Sequence, residues 1–370
     1  MLTYRGFVYS FILLAGLFAL SFRLSSEWEA KLIIYPSGMD LTRAQAADDE
    51  ETAGEDDEED NEEDNTDDSE ETVEVKKAPT KKRMERTGKR IEKGTAQKIW
   101  IEGGVLRAQY NFINFNRDNL NMLFSMPSRE YLDYLAGYGY SDSDITKLKK
   151  WRETTRQSAW DLAIKNGGGQ AAGDKAVDAV DQDYEVKLRQ LMRARGFALR
   201  AGNVVECDVP VIVKRNIPIL KPLALAFQKL SAEKGYGAEE TVGAVLSMVQ
   251  TAVRYKIPPL LEGQMHTGGV LPPARALLSG WGDCDTKTGT VAAILGNWSG
   301  MRLVGVAVPG HYLMAIKRIP AKGDMYVKYE GLQYVLIEPA GPAWLEPGRV
   351  GRHTTELLKS AEGYKIEPFF

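Results

Sequence analysis

The hydrophobic pattern changes rhythm along the chain, and each rhythm predicts an element. Phe7 to Phe22 is one unbroken apolar run between Arg5 and Arg23. As a helix those 16 residues span ~24 Å, slightly less than a ~30 Å hydrocarbon core. The run reads as a secretory signal or as an uncleaved anchor. The anchor is preferred, because the small-residue site Ala44-Gln45-Ala46 lies far downstream. Apolar residues then almost vanish until order resumes near Ile99-Trp100-Ile101. Helical spacing predicts a helix over 144–166 and a second over 173–195, with Val177, Val180, Tyr184, Leu188, Leu191 and Met192 inward. Gly167-Gly168-Gly169 between them makes a helical hairpin. Alternation predicts a strand from Val204 to Val213, and helices follow at 217–234 and 238–254. A Pro- and Gly-rich loop, 255–276, leads to a helix carrying Val291, Ile294 and Leu295 on one stripe. Strands are predicted at 302–308, 311–316 and 334–339.

Charge divides the chain further. Between Asp48 and Glu71 stand 17 acids and no base; outside that stretch 34 acids face 47 bases. An acidic tract without apolar residues cannot form a core and is expected to stay unfolded. Lys76 to Lys93 reverses the sign with nine bases. Such a run can bind nucleic acid or anionic lipid, or serve as a solvated linker; no aromatic side chain interleaves with the bases, which weakens the nucleic-acid reading. The pattern divides the chain into an anchor or signal (1–24), a charged linker (25–95), an accessory, mainly helical region (96–202) and a C-terminal domain (203–370).

The candidate chemistry begins at Trp281-Gly282-Asp283-Cys284-Asp285. Asp283 is a natural N-cap, so Cys284 falls in the first helical turn, where unpaired N–H groups and the helix dipole favour a thiolate. On its own, a cysteine at a helix start is most simply a small apolar filler. Downstream, however, His311 opens a strand after Pro309-Gly310, and Glu338 closes another before Pro339. Nucleophile, general base and orienter therefore occur in order. The two cysteines, Cys207 and Cys284, are too few for a disulfide framework or a zinc set. No close-spaced metal-ligand set exists, so neither metal nor cofactor is expected. His266 and His353 are read as surface residues without a role.

Those residues resemble the transglutaminase-like (papain-like) superfamily of cysteine acyltransferases and peptidases. The resemblance is carried by Gly282-Asp283-Cys284-Asp285 with its helix, by Gly310-His311 and by Glu338-Pro339. It implies an α+β fold, a cysteine helix packed on an antiparallel sheet, and a Cys284–His311–Glu338 triad. Glutamate at 338 departs from the family's commoner aspartate. Acyl transfer through a thioester is the implied chemistry, with water or an amine as acceptor and a protein or peptide as substrate. The oxyanion would be held by the Cys284 N–H and one further donor, Trp281 or Gln264. Asp283 and Asp285 look structural, and their carboxylates are expected to point away from sulfur. The implied setting is membrane tethering through 7–22 with an extracytoplasmic domain at a bacterial envelope. The competing reading is a catalytically inactive scaffold of the same fold.

Overall fold

The computed structural model describes residues 34–35, 95–201, 204–341 and 344–370. The apolar run 7–22, the site 44–46 and the charged tracts lie outside the described residues. Among the described residues no helix is long and apolar enough to cross a membrane.

The architecture is mixed α+β with antiparallel sheets. A five-stranded sheet has the order Tyr326–Tyr329, Leu332–Ile337, His311–Lys317, Leu303–Val308, Lys365–Pro368. All its neighbours run antiparallel. Leu303–Val308 and His311–Lys317 form a hairpin whose turn is Pro309-Gly310, with Val308 opposite His311. Strands 311–317 and 332–337 are paired with Met314 opposite Ile337, which brings His311 toward the residue that follows, Glu338.

The cysteine helix, Cys284–Leu295, packs on the His311 strand and is enclosed by helices Val209–Asn216, Ala238–Ala252 and Pro273–Ser279. All twelve of its residues are buried, not only the Val291-Ile294-Leu295 stripe. Its polar side chains are therefore satisfied internally. Thr288 Oγ1 donates to the Tyr312 carbonyl at 3.2 Å and Thr290 Oγ1 to the Thr286 carbonyl at 2.8 Å, while Thr286 Oγ1 accepts from Leu271 N at 3.0 Å.

The region expected to be mainly helical from 96 opens instead with an antiparallel meander, Ala96–Glu102, Val105–Ile113 and Asn119–Pro127. Its last strand alternates strictly: Leu120, Met122, Phe124 and Met126 are buried between exposed neighbours. That period of two turns one face inward. The face joins Val245, Leu277, Cys284, Tyr312 and Ile337 in one core, so the sheet is continuous with the C-terminal domain rather than accessory to it.

The hairpin is present as Asp142–Lys165 and Gly169–Ala194, with Val180, Tyr184, Leu188 and Met192 buried. Ser141 and Asp144 form a reciprocal capping box that fixes its start. The strand expected from 204 to 213 is cut to Val205–Cys207. Asp208 then accepts from Val211 N at 3.0 Å, and Pro210 stands in the first turn, so a helix begins where alternation predicted extended chain. The helix expected from 217 starts at Lys221.

Candidate active site

Cys284 is the first residue of its helix. The N-cap Asp283 accepts from Thr286 N at 3.1 Å, as its position in the sequence predicts. The preceding turn is fixed from two sides. Trp281-Gly282 runs parallel to Arg254-Tyr255, and the Lys256 ammonium sits 4.6 Å from the Trp281 ring. Gly280 ends the Pro273–Ser279 helix at φ 76°, a left-handed conformation suited to glycine. A Cβ there would overlap the Gln97 side chain, so the first strand of the meander lies directly on the turn.

On the strand side, His311 Nε2 is 2.6 Å from Glu338 Oε1, and Thr354 Oγ1 donates to Glu338 Oε2 at 2.6 Å. The Gly351 backbone adds a further hydrogen bond to that carboxylate. Burial raises the Glu338 pKa, but His311, Thr354 and Gly351 outweigh it and hold the carboxyl below its ordinary range. Burial likewise lowers the His311 pKa, and the Glu338 carboxylate together with Asp285 and Asp283 more than reverses this, so the imidazole is drawn toward its cation. With Nε2 engaged, Nδ1 is the nitrogen left for proton transfer. Gln250 steadies the acid from behind: its Nε2 donates to the Glu338 carbonyl at 2.6 Å and to the Leu345 carbonyl at 3.0 Å.

The helix side differs from what the sequence led us to expect. Cys284 is 2% exposed, and burial, with Asp285 and Asp283 nearby, pushes its thiol well above the usual range. The dipole effect at the helix mouth is worth ~1 kcal/mol, too little to offset full desolvation of a charge. Asp285 does not point away from sulfur: Sγ lies 3.9 Å from its Oδ1, at the limit of a hydrogen bond. The other partner of Sγ is the Tyr312 backbone N–H, one residue along from His311. The imidazole is not among these hydrogen-bond partners. Asp283, fully buried, has its pKa raised by burial to about 6 despite the bonds from Thr286 and its own backbone.

Trp281 is half-buried at the turn, three residues before Cys284. Gln264 is exposed, at the tip of a small hairpin of Leu261–Glu262 and Met265–His266 that pairs with Tyr140-Ser141. His266 has a structural partner: its Nε2 is 2.8 Å from Asp142 Oδ1, tying the loop to the hairpin, while His353 is exposed. Cys207 and Cys284 are both free and buried. Among the described residues no group of His, Cys, Asp and Glu is arranged to hold a metal ion.

Thr354, Gly351, Gln250 and Lys287 belong to the site and were not foreseen. None has a motif; Thr354, Gly351 and Gln250 each bond to Glu338, and Lys287 bonds to the Gln250 carbonyl. Family models, curated proteins and solved structures were all compared with the chain, and none matches.

Proposed function

We propose that the chain is a transglutaminase-like cysteine enzyme that transfers acyl groups of protein or peptide carboxamides through a Cys284 thioester. The observation that carries the reading is the His311–Glu338 pair at 2.6 Å beside a cysteine at the mouth of a capped helix. His311 accepts the Cys284 proton, and Glu338 holds the ring and stabilises its cation. The sulfur attacks the carbonyl carbon, the oxyanion rests on the Cys284 N–H with Trp281 or Gln264 as second donor, and the amine leaves with the proton from His311. Water then releases the acid, or an amine takes the acyl group. To react, the Cys284 side chain must leave Asp285 for the imidazole, a rotation between staggered wells. The fold in this reading is a papain-like core, tethered to a membrane through 7–22 and facing outward.

The test is alkylation of the full chain by iodoacetamide, with the labelled cysteine identified by mass spectrometry. Cys284 is expected to react faster than a free thiol near neutral pH, with His311→Ala slowing it ~100-fold or more. Reaction no faster than a free thiol, unchanged in His311→Ala, rejects the triad. Incubation with peptides, with and without an amine, then separates hydrolysis from transamidation.

The burial of Cys284 and its contact with Asp285 favour a second reading, an inactive scaffold that binds a partner through the same cleft. An unreactive Cys284 in a protein that still binds peptide would select it.

A further inference from the structure

Lys287 stands one turn beyond Asp283 and Cys284 on the same helix face and is 1% exposed. Lysine is almost never buried this far without a carboxylate partner. Here the Nζ donates to the Gln250 carbonyl at 3.4 Å, a long bond for an ammonium with three protons to place. Gly341 closes the space behind it: a Cβ at 341 would overlap that carbonyl and stand 2.9 Å from Nζ. Only a residue without a Cβ at 341 leaves room for the ammonium beside that carbonyl. The ionisable groups that face it are Asp283 and Cys284 from its own helix and Glu338 from the strand side. Gln250, which it touches, is the residue whose side chain clamps the Glu338 backbone.

Packing alone does not explain a lysine here, since a methionine fills the same volume with no charge to desolvate. What the site lacks without it is a cation on the helix side, where Asp283, Asp285 and Glu338 all oppose ionisation of the sulfur. We propose that Lys287 is a positioning residue of the acyl-transfer site: its ammonium offsets the carboxylates around Cys284, so that the sulfur can carry negative charge, and it pins Gln250 beneath Glu338. The proposal rests on the acyl-transfer reading. Lys287 forms no bond and takes no proton in the reaction; the thiol proton goes to His311. Burial lowers the Lys287 pKa to about 7 against the opposing pull of Asp283, Cys284 and Glu338, so the cation is held at a cost in stability.

The experiment uses the full chain and compares wild type, Lys287→Met and His311→Ala. Cys284 alkylation by iodoacetamide is followed from pH 5 to pH 10, with thermal unfolding at pH 6. For Lys287→Met the midpoint of the rate profile is expected to rise by ~1 pH unit, a ~10-fold slower reaction near neutrality. Its Tm at pH 6 should equal or exceed that of wild type, because an apolar isostere replaces a buried charge. A profile that superimposes on a reactive wild type overturns the Lys287 assignment while leaving the triad intact. A lower Tm with an unshifted midpoint makes the lysine merely structural and also overturns it. Slow, His311-independent alkylation of wild type removes the triad and this assignment together. Should Lys287→Met not fold, Lys287→Gln replaces it in the same alkylation series. The ~1 pH unit rise of the midpoint is again expected, and an unshifted midpoint rejects the assignment.

Discussion

On the strand side of the site, His311, Glu338 and Thr354 form a chain of contacts at 2.6 Å, with Gly351 completing the carboxylate. On the helix side, Asp283, Cys284, Asp285 and Lys287 are also buried, but the contacts are longer: a cap at 3.1 Å, a 3.9 Å contact to sulfur and a 3.4 Å bond from Lys287 to a carbonyl. The first arrangement offsets the cost of burying charge through short charge-assisted hydrogen bonds; the second relies on longer and weaker contacts. The ionic states follow. Glu338 is held charged and His311 is drawn toward its cation, whereas burial keeps Cys284 a neutral thiol. The base is assembled before the nucleophile is.

The strongest way to break this contrast is Glu338→Gln, expected to destabilise by ~3–5 kcal/mol because it strands a buried imidazole. The sign fixes the pH window. Glu338 has a lowered folded pKa, so its contribution is complete above its ordinary 4.5 and is lost as pH falls through the folded value. His311 has a raised folded pKa, so its contribution is complete below 6.5 and is lost as pH rises through the folded value. The mutational loss should therefore peak between those two values. Urea unfolding at pH 5.5, 3 and 9 measures it, and equal losses at all three would refute an ionic pair.

Thr354→Val comes next, costing ~2 kcal/mol for one hydrogen bond to a buried carboxylate, with Thr354→Ser restoring most of it. Chemical denaturation of the two variants decides, and a valine variant as stable as wild type would mean that water or Gly351 suffices. The smallest effect is on the helix side. Asp285→Asn removes a charge beside sulfur and should speed Cys284 alkylation at pH 7 by ~10-fold, about 1.4 kcal/mol. A slower reaction would mean that Asp285 orients the thiol rather than opposing it.

What could be read from the chain was what short-range rules govern. The capped start of the cysteine helix follows from Asp283, the hairpin from its spacing and the glycine triplet, and the histidine strand from Pro309-Gly310. The apolar stripe at Val291, Ile294 and Leu295 was legible, yet it understated the helix, whose polar residues are buried by elements far away in sequence. The short strand at Val205–Cys207 was overextended because V-E-C-D-V-P-V alternates in hydropathy; the cap at Asp208 and Pro210 decided otherwise. Burial of Cys284 was invisible for a like reason. A helix mouth predicts a thiolate only where water or a cation reaches it, and here the helix is covered by elements distant in sequence, among them the His311 strand, whose Tyr312 backbone bonds to the sulfur. Thr354 reaches Glu338 from 16 residues away, a contact set by tertiary packing alone.

The seating of Gln97 and Ile99 on Gly280 has a mechanical consequence. The strand that carries them is the first described element after the basic tract, so a shift of that strand bears directly on the turn before Cys284. The edge of the meander is thereby part of the nucleophile's footing.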